Sequence, residues 1–236
     1  METNKHDRSL HVPQRDKFKG LLQIKDLNWT EKQKEFIGLV LDKKSKMIFV
    51  DGVAGTGKTL MAVYCGLKML NDKKVSDLVY VRSVIESASK SLGFLPGESE
   101  DKFKPFILPL EDKLEELLNK GDKDKLLRDD RIMARPVNYL RGANFNAKFI
   151  ICDEAQNFDS KELTTLITRI GQFSKVIICG DSHQSDINGK SGFKHTYSVF
   201  NDEESRQNGI YYYNFGIDDV MRSELVKFIL RKLNHT

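Results

Sequence analysis

Short apolar runs alternate along the chain with longer segments in which apolar residues recur at helical spacing. Residues that favour strands are concentrated in the runs 47–50, 77–81, 132–137, 149–152, 176–179 and 210–215. Runs 149–152 and 176–179 are apolar at every position, which indicates strands buried on both faces, as in a parallel sheet. The pattern therefore predicts a sheet built mainly from parallel strands.

Segments with a helical period lie between these runs and predict helices at 60–70, 104–118 and 160–170, and a first helix that begins after a cap at 28 or 30 and runs to about 41. Asp218 and Asp219 open a further, C-terminal helix. Its predicted core-facing side consists of Val220, Met221, Leu225, Phe228 and Ile229. Alternating strands and helices predict an α/β fold, a doubly wound, mainly parallel sheet with helices on both faces. The ligand crevice of such a sheet lies at the carboxyl ends of its strands.

The stretch between the first run and the next helix reads G-x-x-x-x-G-K-T, the pattern of a phosphate-binding loop. Glycines let backbone N–H groups converge on a polyphosphate, and the positive end of the following helix points at the same anion. Lys58 would contact the outer phosphates, and the Thr59 hydroxyl would bind Mg²⁺. The predicted nucleotide contacts are Gly52, Val53, Ala54, Gly55, Thr56, Gly57, Lys58 and Thr59.

Polar residues follow two later strands and predict the rest of a phosphate site. Asp153 and Glu154 come after run 149–152, which we expect one strand away from the loop. Asp153 would hold Mg²⁺ through its water shell, and Glu154 would orient or deprotonate the attacking water. An acidic cap on the next helix would explain the same pair. Gln184, in the sequence G-D-S-H-Q after run 176–179, can sense a γ-phosphate and position water.

Gln33 has two interpretations that its position does not separate. Thr30 and Gln33 have the spacing of a capping box, in which the glutamine closes the start of a helix. Asn28 and Glu31 have the same spacing. A glutamine amide also pairs with the N6 and N7 edge of adenine.

The composition of the chain limits which binding partners and which cellular compartment we expect. The chain has 236 residues and a formal net charge of +4, which permits a nucleic-acid partner without indicating one. Its three cysteines, Cys65, Cys152 and Cys179, lie in apolar segments without C-x-x-C spacing. This favours buried, reduced thiols in a cytoplasmic compartment over disulfides or zinc. No apolar run approaches the ~20 residues of a membrane helix, so we expect no membrane association.

The chain divides into a short arm and one larger unit. Residues 1–20 are polar and charged and predict a flexible arm, which carries Arg8, Arg15, Lys17 and Lys19. Residues 21–236 predict a single domain with an insertion at about 83–137.

Taken together, the loop, the Asp153–Glu154 pair and the Gly180–Gln184 sequence resemble the first RecA-type domain of superfamily 1 helicases. Over about residues 28–232 the chain more closely resembles the PhoH family of phosphate-starvation-inducible ATPases. The stretches that carry this resemblance are 92–97 (LGFLPG), 139–142 (YLRG), 153–157 (DEAQN), 166–171 (LITRIG) and 219–222 (DVMR).

The resemblance implies a RecA-like P-loop domain that binds and hydrolyses ATP with Mg²⁺ and acts on RNA. It also implies that Gln33 matches an adenine-reading glutamine. The chain departs from the family at Ser83, where a proline usually follows the arginine, and at Ala143 and Asn144, where Arg-Thr is usual. In the helicase analogy both departures face the nucleic acid, so ATP binding is implied more firmly than strand handling.

We therefore expect an ATP hydrolase coupled to RNA or another single-stranded nucleic acid. A nucleotide-gated scaffold with negligible turnover and a small-molecule kinase are the alternatives. Candidate phosphate contacts to a strand are the basic arm, Arg82, Lys90, Arg141 and Lys148.

The chemistry also predicts a homo-oligomer, a hexameric ring with ATP at the subunit interfaces. Phosphoryl transfer needs a cation besides Lys58 and Mg²⁺, and a neighbouring subunit is the simplest source. Arg169, at the end of the helix after Glu154, is the candidate to act in trans. Arg222, predicted in the first turn of the C-terminal helix, is disfavoured there by the helix dipole and is assigned a cis or sensor role.

Overall fold

The computed structural model describes residues 16–83, 99–140, 144–184, 187 and 189–233. Its strands are β1 (Met47–Gly52), β2 (Asp77–Arg82), β3 (Ile132–Pro136), β4 (Lys148–Asp153), β5 (Lys175–Gly180) and β6 (Ile210–Phe215). Its larger helices are α1 (Glu31–Leu41), α2 (Lys58–Asn71), α3 (Ser99–Leu117), α4 (Lys120–Arg128) and α5 (Ser160–Ile167). They are followed by α6 (Phe193–Val199), α7 (Glu203–Gln207) and α8 (Glu224–Leu233). Every predicted strand is present, the helices predicted between the strands correspond to α1, α2, α3 and α5, and the short α6 and α7 were not predicted.

In the described part of the chain the strands form one sheet in the order β3-β2-β4-β5-β1-β6, and every pairing is parallel. This confirms the predicted doubly wound, parallel α/β fold. One expectation was wrong: Asp153 ends β4, which is not adjacent to β1, because β5 lies between them. The carboxyl ends of β1, β5 and β4 are therefore consecutive, and the sequences that follow them meet at one edge.

Alternating side chains along each strand supply two cores, one on each face of the sheet. On β4, Phe149 and Ile151 belong to the first core, with α1, α2 and α3. Ile150 and Cys152 belong to the second core on the opposite face, with α5 and α6. The period of two in a strand sends successive side chains to opposite faces. Both faces are therefore apolar, which explains why the sequence of this strand shows no polar alternation.

The segment assigned to an insertion ends inside the sheet. β3 pairs with β2 in parallel register and forms an edge of the sheet, and Leu110, Leu114 and Leu117 of α3 are buried in the first core. α3 begins at Ser99, earlier than predicted, and continues through Pro105 and Pro109. Residues 92–97, which carry part of the family resemblance, lie outside the described residues.

The predicted arm is partly packed where it is described. Phe18 has only 2% of its surface exposed and lies in the first core, with the Lys125 ammonium 5.3 Å from its ring centroid. Lys17 and Lys19 on either side of it are exposed, and Arg8 and Arg15 lie outside the described residues.

The C-terminal helix contradicts its predicted orientation. α8 begins at Glu224, and its apolar residues face outward: Leu225 is 66% exposed, Phe228 54% and Ile229 44%. Of the predicted core-facing set only Val220 is buried, and it precedes the helix. Amphipathic spacing shows that a helix has an apolar side, but the packing of the other elements decides whether anything covers it.

Within the described ranges, none of the helices combines the length and the hydropathy that crossing a bilayer requires.

Candidate functional site

The loop between β1 and α2 has the backbone shape that its glycines permit. Gly57 caps α2 in a left-handed conformation, with φ 84° and ψ 13°, and Gly55 has φ 89°. A side chain at either position would strain the backbone. The Thr56 hydroxyl donates to the Val53 carbonyl at 3.0 Å and closes the loop on itself. The N-terminus of α2 thus points its free N–H groups across the loop, as an anion site requires.

A pocket of about 500 Å³ lies at the carboxyl ends of β1, β4 and β5. From the loop it is lined by Ala54, Gly55, Gly57, Lys58 and Thr59. From the other strand ends it is lined by Asp153, Glu154, Gln156, Asp181 and Gln184, and Arg222 closes one side. Gly52, Val53 and Thr56 lie behind the lining, where they shape the loop. Lys113 and Glu116 of α3 also reach the pocket.

Thr59 and Asp153 meet although they come from different elements. The Thr59 hydroxyl donates to Asp153 Oδ1 at 2.6 Å, and the buried Tyr80 hydroxyl donates to Asp153 Oδ2. Burial and the adjacent carboxylate raise the pKa of Tyr80 far above its ordinary value, so this hydroxyl remains a donor. Tyr80 therefore fixes one carboxylate oxygen and leaves the other at Thr59. The predicted pair of hard oxygen ligands is brought together.

Glu154 is held by a chain of hydrogen bonds through Gln156. The Gln156 amide donates to Glu154 Oε2 at 2.6 Å and accepts from the Asp181 backbone N–H at 3.0 Å. Gln156 is 5% exposed, so this bridge between the ends of β4 and β5 lies in the interior. Glu154 has a left-handed backbone, with φ 54°, a conformation that for a non-glycine residue marks stored strain. Glu154 precedes the short 3₁₀ turn Ala155–Asn157, but its side chain makes no capping bond there, and Asp159 caps α5.

Asp181 adds a second carboxyl group to the pocket. Its Oδ1 accepts from the His183 N–H at 3.0 Å, whereas its buried Oδ2 has no hydrogen-bond partner among the described residues. Burial raises the pKa of Asp181 above its ordinary value. A buried polar atom without a partner is uncommon and marks a place where an external group can bind.

The two predicted cations at the pocket differ in position. The Lys58 ammonium donates to the Gly52 carbonyl and to the Val53 carbonyl, the latter at 3.1 Å, and so lies at the mouth of the loop. Arg222 lines the pocket beside Gly55: a Cβ built on that glycine would lie 3.1 Å from Arg222 Cγ. The predicted place of Arg222 inside a helix was wrong, because α8 begins two residues later. A backbone bond from the Met221 N–H to the Gly55 carbonyl holds the segment instead.

Gln33 makes the bonds of a capping residue. Its Oε1 accepts from the Thr30 N–H at 3.0 Å, and its N–H donates to the Thr30 hydroxyl. Its Nε2 donates to the Thr56 carbonyl at 3.2 Å, which ties α1 to the phosphate loop. Gln33 is 3% exposed and does not line the pocket. These contacts explain the residue without a nucleotide base.

We therefore expect Gln33→Glu to weaken binding of ATP and GTP by the same factor, roughly tenfold. Glutamate keeps the bond to the Thr30 N–H but replaces the donor at Thr56 with a carboxylate, and an unsatisfied buried acceptor costs about 1–3 kcal/mol. Titration of both nucleotides measures the effect, with Glu31→Gln at an exposed position of the same helix as control. A changed ratio of ATP to GTP affinity would instead assign Gln33 to the adenine edge.

The remaining predicted residues are only partly at the site. Gln184 lines the pocket through an exposed side chain. Arg169 lies just beyond the end of α5 and does not line the pocket; its half-buried side chain has an Nε without a hydrogen-bond partner among the described residues. Lys148, a predicted nucleic-acid contact, begins β4 at the edge of the sheet opposite the pocket and pairs with the fully buried Asp77.

Sequence reasoning missed Tyr80, Gln156 and Asp181 as members of the site. Gln156 and Asp181 belong to stretches quoted for the resemblance, so their place in the motifs was a signal that was not used. Tyr80 has no such signal, since an aromatic residue within a strand is ordinary. Only the parallel pairing of β2 with β4, which sets Arg82 opposite Asp153, brings the Tyr80 hydroxyl to that carboxylate.

Comparison with known proteins agrees with this site. A sequence model of the PhoH-like protein family matches residues 26–234. A PhoH-like protein of Synechocystis sp. is 34% identical over 203 residues, which are 85% of this chain and 60% of that protein. A PhoH-like protein of Bacillus subtilis is 33% identical over 198 residues, 84% of this chain and 60% of that protein. The chain thus spans about 60% of the length of both relatives.

Among solved structures, the SWI2/SNF2 ATPase core of Sulfolobus solfataricus in complex with dsDNA matches with a TM-score of 0.47 and 13% identity. That match covers 83% of this chain and 46% of the other. The likeness is too distant to bear on function. The family match, in contrast, includes every strand of the sheet and the whole pocket. The protein therefore belongs to the PhoH family of ATP-binding P-loop proteins.

Proposed function

We propose that the protein hydrolyses ATP with Mg²⁺ and couples hydrolysis to RNA or another single-stranded nucleic acid. The observation that carries the ATPase proposal is the oxygen pair of Thr59 and Asp153, 2.6 Å apart, beside a glutamate oriented by Gln156. A protein that only bound nucleotide would have no use for a fixed, strained carboxylate at that position. The geometry therefore supports turnover.

The donors at the pocket suit Mg²⁺. Hydroxyl and carboxylate oxygens are the ligands that this cation prefers, and it usually takes few of them from the protein. Among the described residues no group of three or more His, Cys, Asp or Glu side chains forms a metal cage. Thr59 and Asp153 would hold the ion, which supplies charge neutralisation on the phosphates when bound.

Each remaining side chain has a role that follows from its place. Lys58, at the mouth of the loop, balances charge on the outer phosphates. Glu154 accepts a proton from water or orients it, while Gln156 keeps the carboxylate in place. Gln184 reaches the pocket from the end of β5 and positions the water, and Arg222 adds a cation from the same chain.

Phosphate release from ATP with and without single-stranded RNA tests the proposal in one experiment. We expect release that depends on Mg²⁺ and accelerates when RNA is added. Release that is unaffected by RNA would remove the coupling but keep the hydrolase. No release under either condition would leave a nucleotide-gated scaffold, the alternative with negligible turnover.

A small-molecule kinase is the second candidate, favoured by one observation. α3 brings Lys113 and Glu116 to the pocket, as a lid over a phosphoryl acceptor would. The same assay separates the two functions, because a kinase needs an added acceptor and a hydrolase uses water. Phosphate release in plain buffer supports the hydrolase.

A homo-oligomeric ring, of the hexameric kind expected from the sequence, is part of the proposal. The exposed apolar side of α8 lies next in the chain to Arg222, so a neighbouring subunit covering it would adjoin the pocket. Arg169 does not reach the pocket of its own chain, which is compatible with a role in trans. The outward apolar helix thus has a use that a monomer would not give it.

Mixing two inactive variants tests the ring. Lys58→Ala and Arg169→Ala should each lack ATPase activity alone, and an equal mixture should recover part of it. Recovery follows because some mixed interfaces combine an intact loop with an intact arginine. Lys58→Ala mixed with Glu154→Gln, both in the same pocket, is the control and should recover nothing. Full ATPase activity from a species that sediments as a monomer would contradict the proposed ring.

A further inference from the structure

A second large cavity lies at the amino ends of β1, β2, β4 and β5, on the edge opposite the nucleotide pocket. Its volume is about 1230 Å³, against about 500 Å³ for the pocket. Small-molecule sites usually have volumes of ~300–1,000 Å³, so this cavity, which we term the amino-edge groove, suits an extended ligand. The strands between the two sites span roughly 20 Å, so their ligands would not touch.

The amino-edge groove concentrates positive charge. Its lining includes six lysines and one aspartate, in a chain whose formal net charge is only +4. Lys17, Lys43, Lys46 and Lys73 are exposed and have no ion-pair partner among the described residues. The remaining lysines are engaged: Lys74 pairs with Asp72. The groove therefore presents to its ligand four ammonium groups that pair with no described carboxylate.

Part of this charge has a structural explanation. Lys43 and Lys73 follow the last turns of α1 and α2, where cations are favoured by the helix dipole. Lys175 is 5% exposed and donates to the Asp42 carbonyl at 2.7 Å and to the Ser45 hydroxyl at 2.9 Å, so it holds the end of α1. Neither reason explains Lys17. The same lining also contains an aromatic residue that these structural roles do not explain.

That aromatic residue is Phe173, which lines the groove with 74% of its surface exposed. Its backbone is left-handed, with φ 59°, a conformation that is unfavourable for a bulky residue. Among the described residues positive φ at a non-glycine position occurs at Lys73, Asp130, Ala147, Glu154 and Phe173. Three of these line the groove, and Glu154 lies in the nucleotide pocket. Strain of this kind gathers at functional sites.

We propose that the amino-edge groove binds single-stranded nucleic acid, with the free lysines on its phosphates and Phe173 stacked on a base. Lysines along a channel with an exposed aromatic ring are the elements by which proteins hold single strands without sequence preference. The groove lining, as far as it is described, contains no arginine, the residue that carboxylates of an acidic peptide would favour. The proposal concerns binding and stands whether or not ATP hydrolysis is coupled to it.

Fluorescence anisotropy with a labelled oligouridylate tests the charges. The probe is titrated into the full chain and into the triple variant Lys43→Gln, Lys46→Gln, Lys73→Gln. We expect the variant to lose at least about tenfold in affinity at low salt, and its salt slope to fall by about 2, as three lost phosphate contacts require. The control carries Lys120→Gln, Lys161→Gln and Lys194→Gln, exposed lysines outside the groove, and should bind like the parent.

Phe173→Asn tests the ring without straining the backbone, because asparagine tolerates the left-handed conformation. We expect roughly tenfold weaker oligouridylate binding, an unchanged melting temperature and unchanged ATP binding. Equal oligouridylate binding by the two triple variants would overturn the proposal that the groove is the binding site. Loss of binding in an Arg82→Gln variant alone would place the nucleic acid at the opposite edge of the sheet. Displacement of the probe by polyglutamate as readily as by unlabelled oligouridylate would overturn the choice of nucleic acid in favour of an acidic protein.

Discussion

Replacing Glu154 by glutamine is expected to leave ATP affinity within about twofold and to lower kcat by at least about 100-fold. An amide keeps the size of the side chain but cannot take a proton from water. Glu154 lines the pocket from the end of β4 and accepts a hydrogen bond from Gln156, whereas the loop after β1 is what would hold the phosphates, so binding should survive. Steady-state phosphate release measures kcat, and titration of a fluorescent ATP analogue measures affinity.

Gln156→Asn provides a comparison for this variant, because it changes the support of Glu154 and leaves the glutamate itself intact. The shorter amide retains its chemistry but cannot span from Glu154 Oε2 to the Asp181 N–H, a bridge of 2.6 Å and 3.0 Å contacts. We expect a fall in kcat of roughly tenfold, smaller than that for Glu154→Gln, because the base is misplaced but still present. A phosphate-release rate unchanged in Glu154→Gln would refute the role assigned to that residue.

Replacing Lys58 by alanine should have the second large effect, a loss of roughly 100-fold in ATP affinity and of all measurable turnover. Hydrogen bonds from a charged donor to phosphate are among the strongest that proteins make, each worth about 1.5–3 kcal/mol. Isothermal titration with Mg²⁺ and ATP gives the affinity directly.

Lys68→Ala in the last turn of α2 is the matched control for Lys58→Ala. The Lys68 ammonium lies 5.5 Å from the centroid of the Tyr64 ring and does not line the pocket. The substitution therefore removes one charge from the same helix without changing the loop. We expect parental ATP affinity. Equal weakening by the two variants would mean that the overall charge of α2, and not the position of Lys58, governs binding.

The chain order of strands, the phosphate loop and the acidic strand end were all predictable, because each depends on neighbours in the sequence. An apolar run such as 149–152 encodes burial on both faces wherever its strand lies in the sheet. Glycines at 55 and 57 encode a loop shape by lacking a Cβ. The roles predicted for Lys58, Thr59, Asp153 and Glu154 then follow from their positions relative to these features.

The errors arose where distance along the chain is a poor guide to distance in space. β5 lies between β1 and β4, so Asp153 reaches Thr59 from two strands away. The apolar side of α8 looks like a core face in the sequence, yet nothing in the described chain covers it. Amphipathicity records which side avoids water and not what lies against it.

The sequence by itself thus determined the parallel α/β sheet, the phosphate loop and the acidic pair, since local periodicity and backbone freedom encode them. Only the tertiary structure decided that Tyr80 and Gln156 hold the two carboxylates, that Gln33 ties α1 to the loop, and that lysines from separate segments share one groove with Phe173. Most of these contacts join residues far apart in the chain, and Gln156, although close to Glu154 in sequence, is itself held by the distant Asp181 N–H. They exist because six parallel strands bring their like ends to common edges, a long-range arrangement that no local pattern specifies.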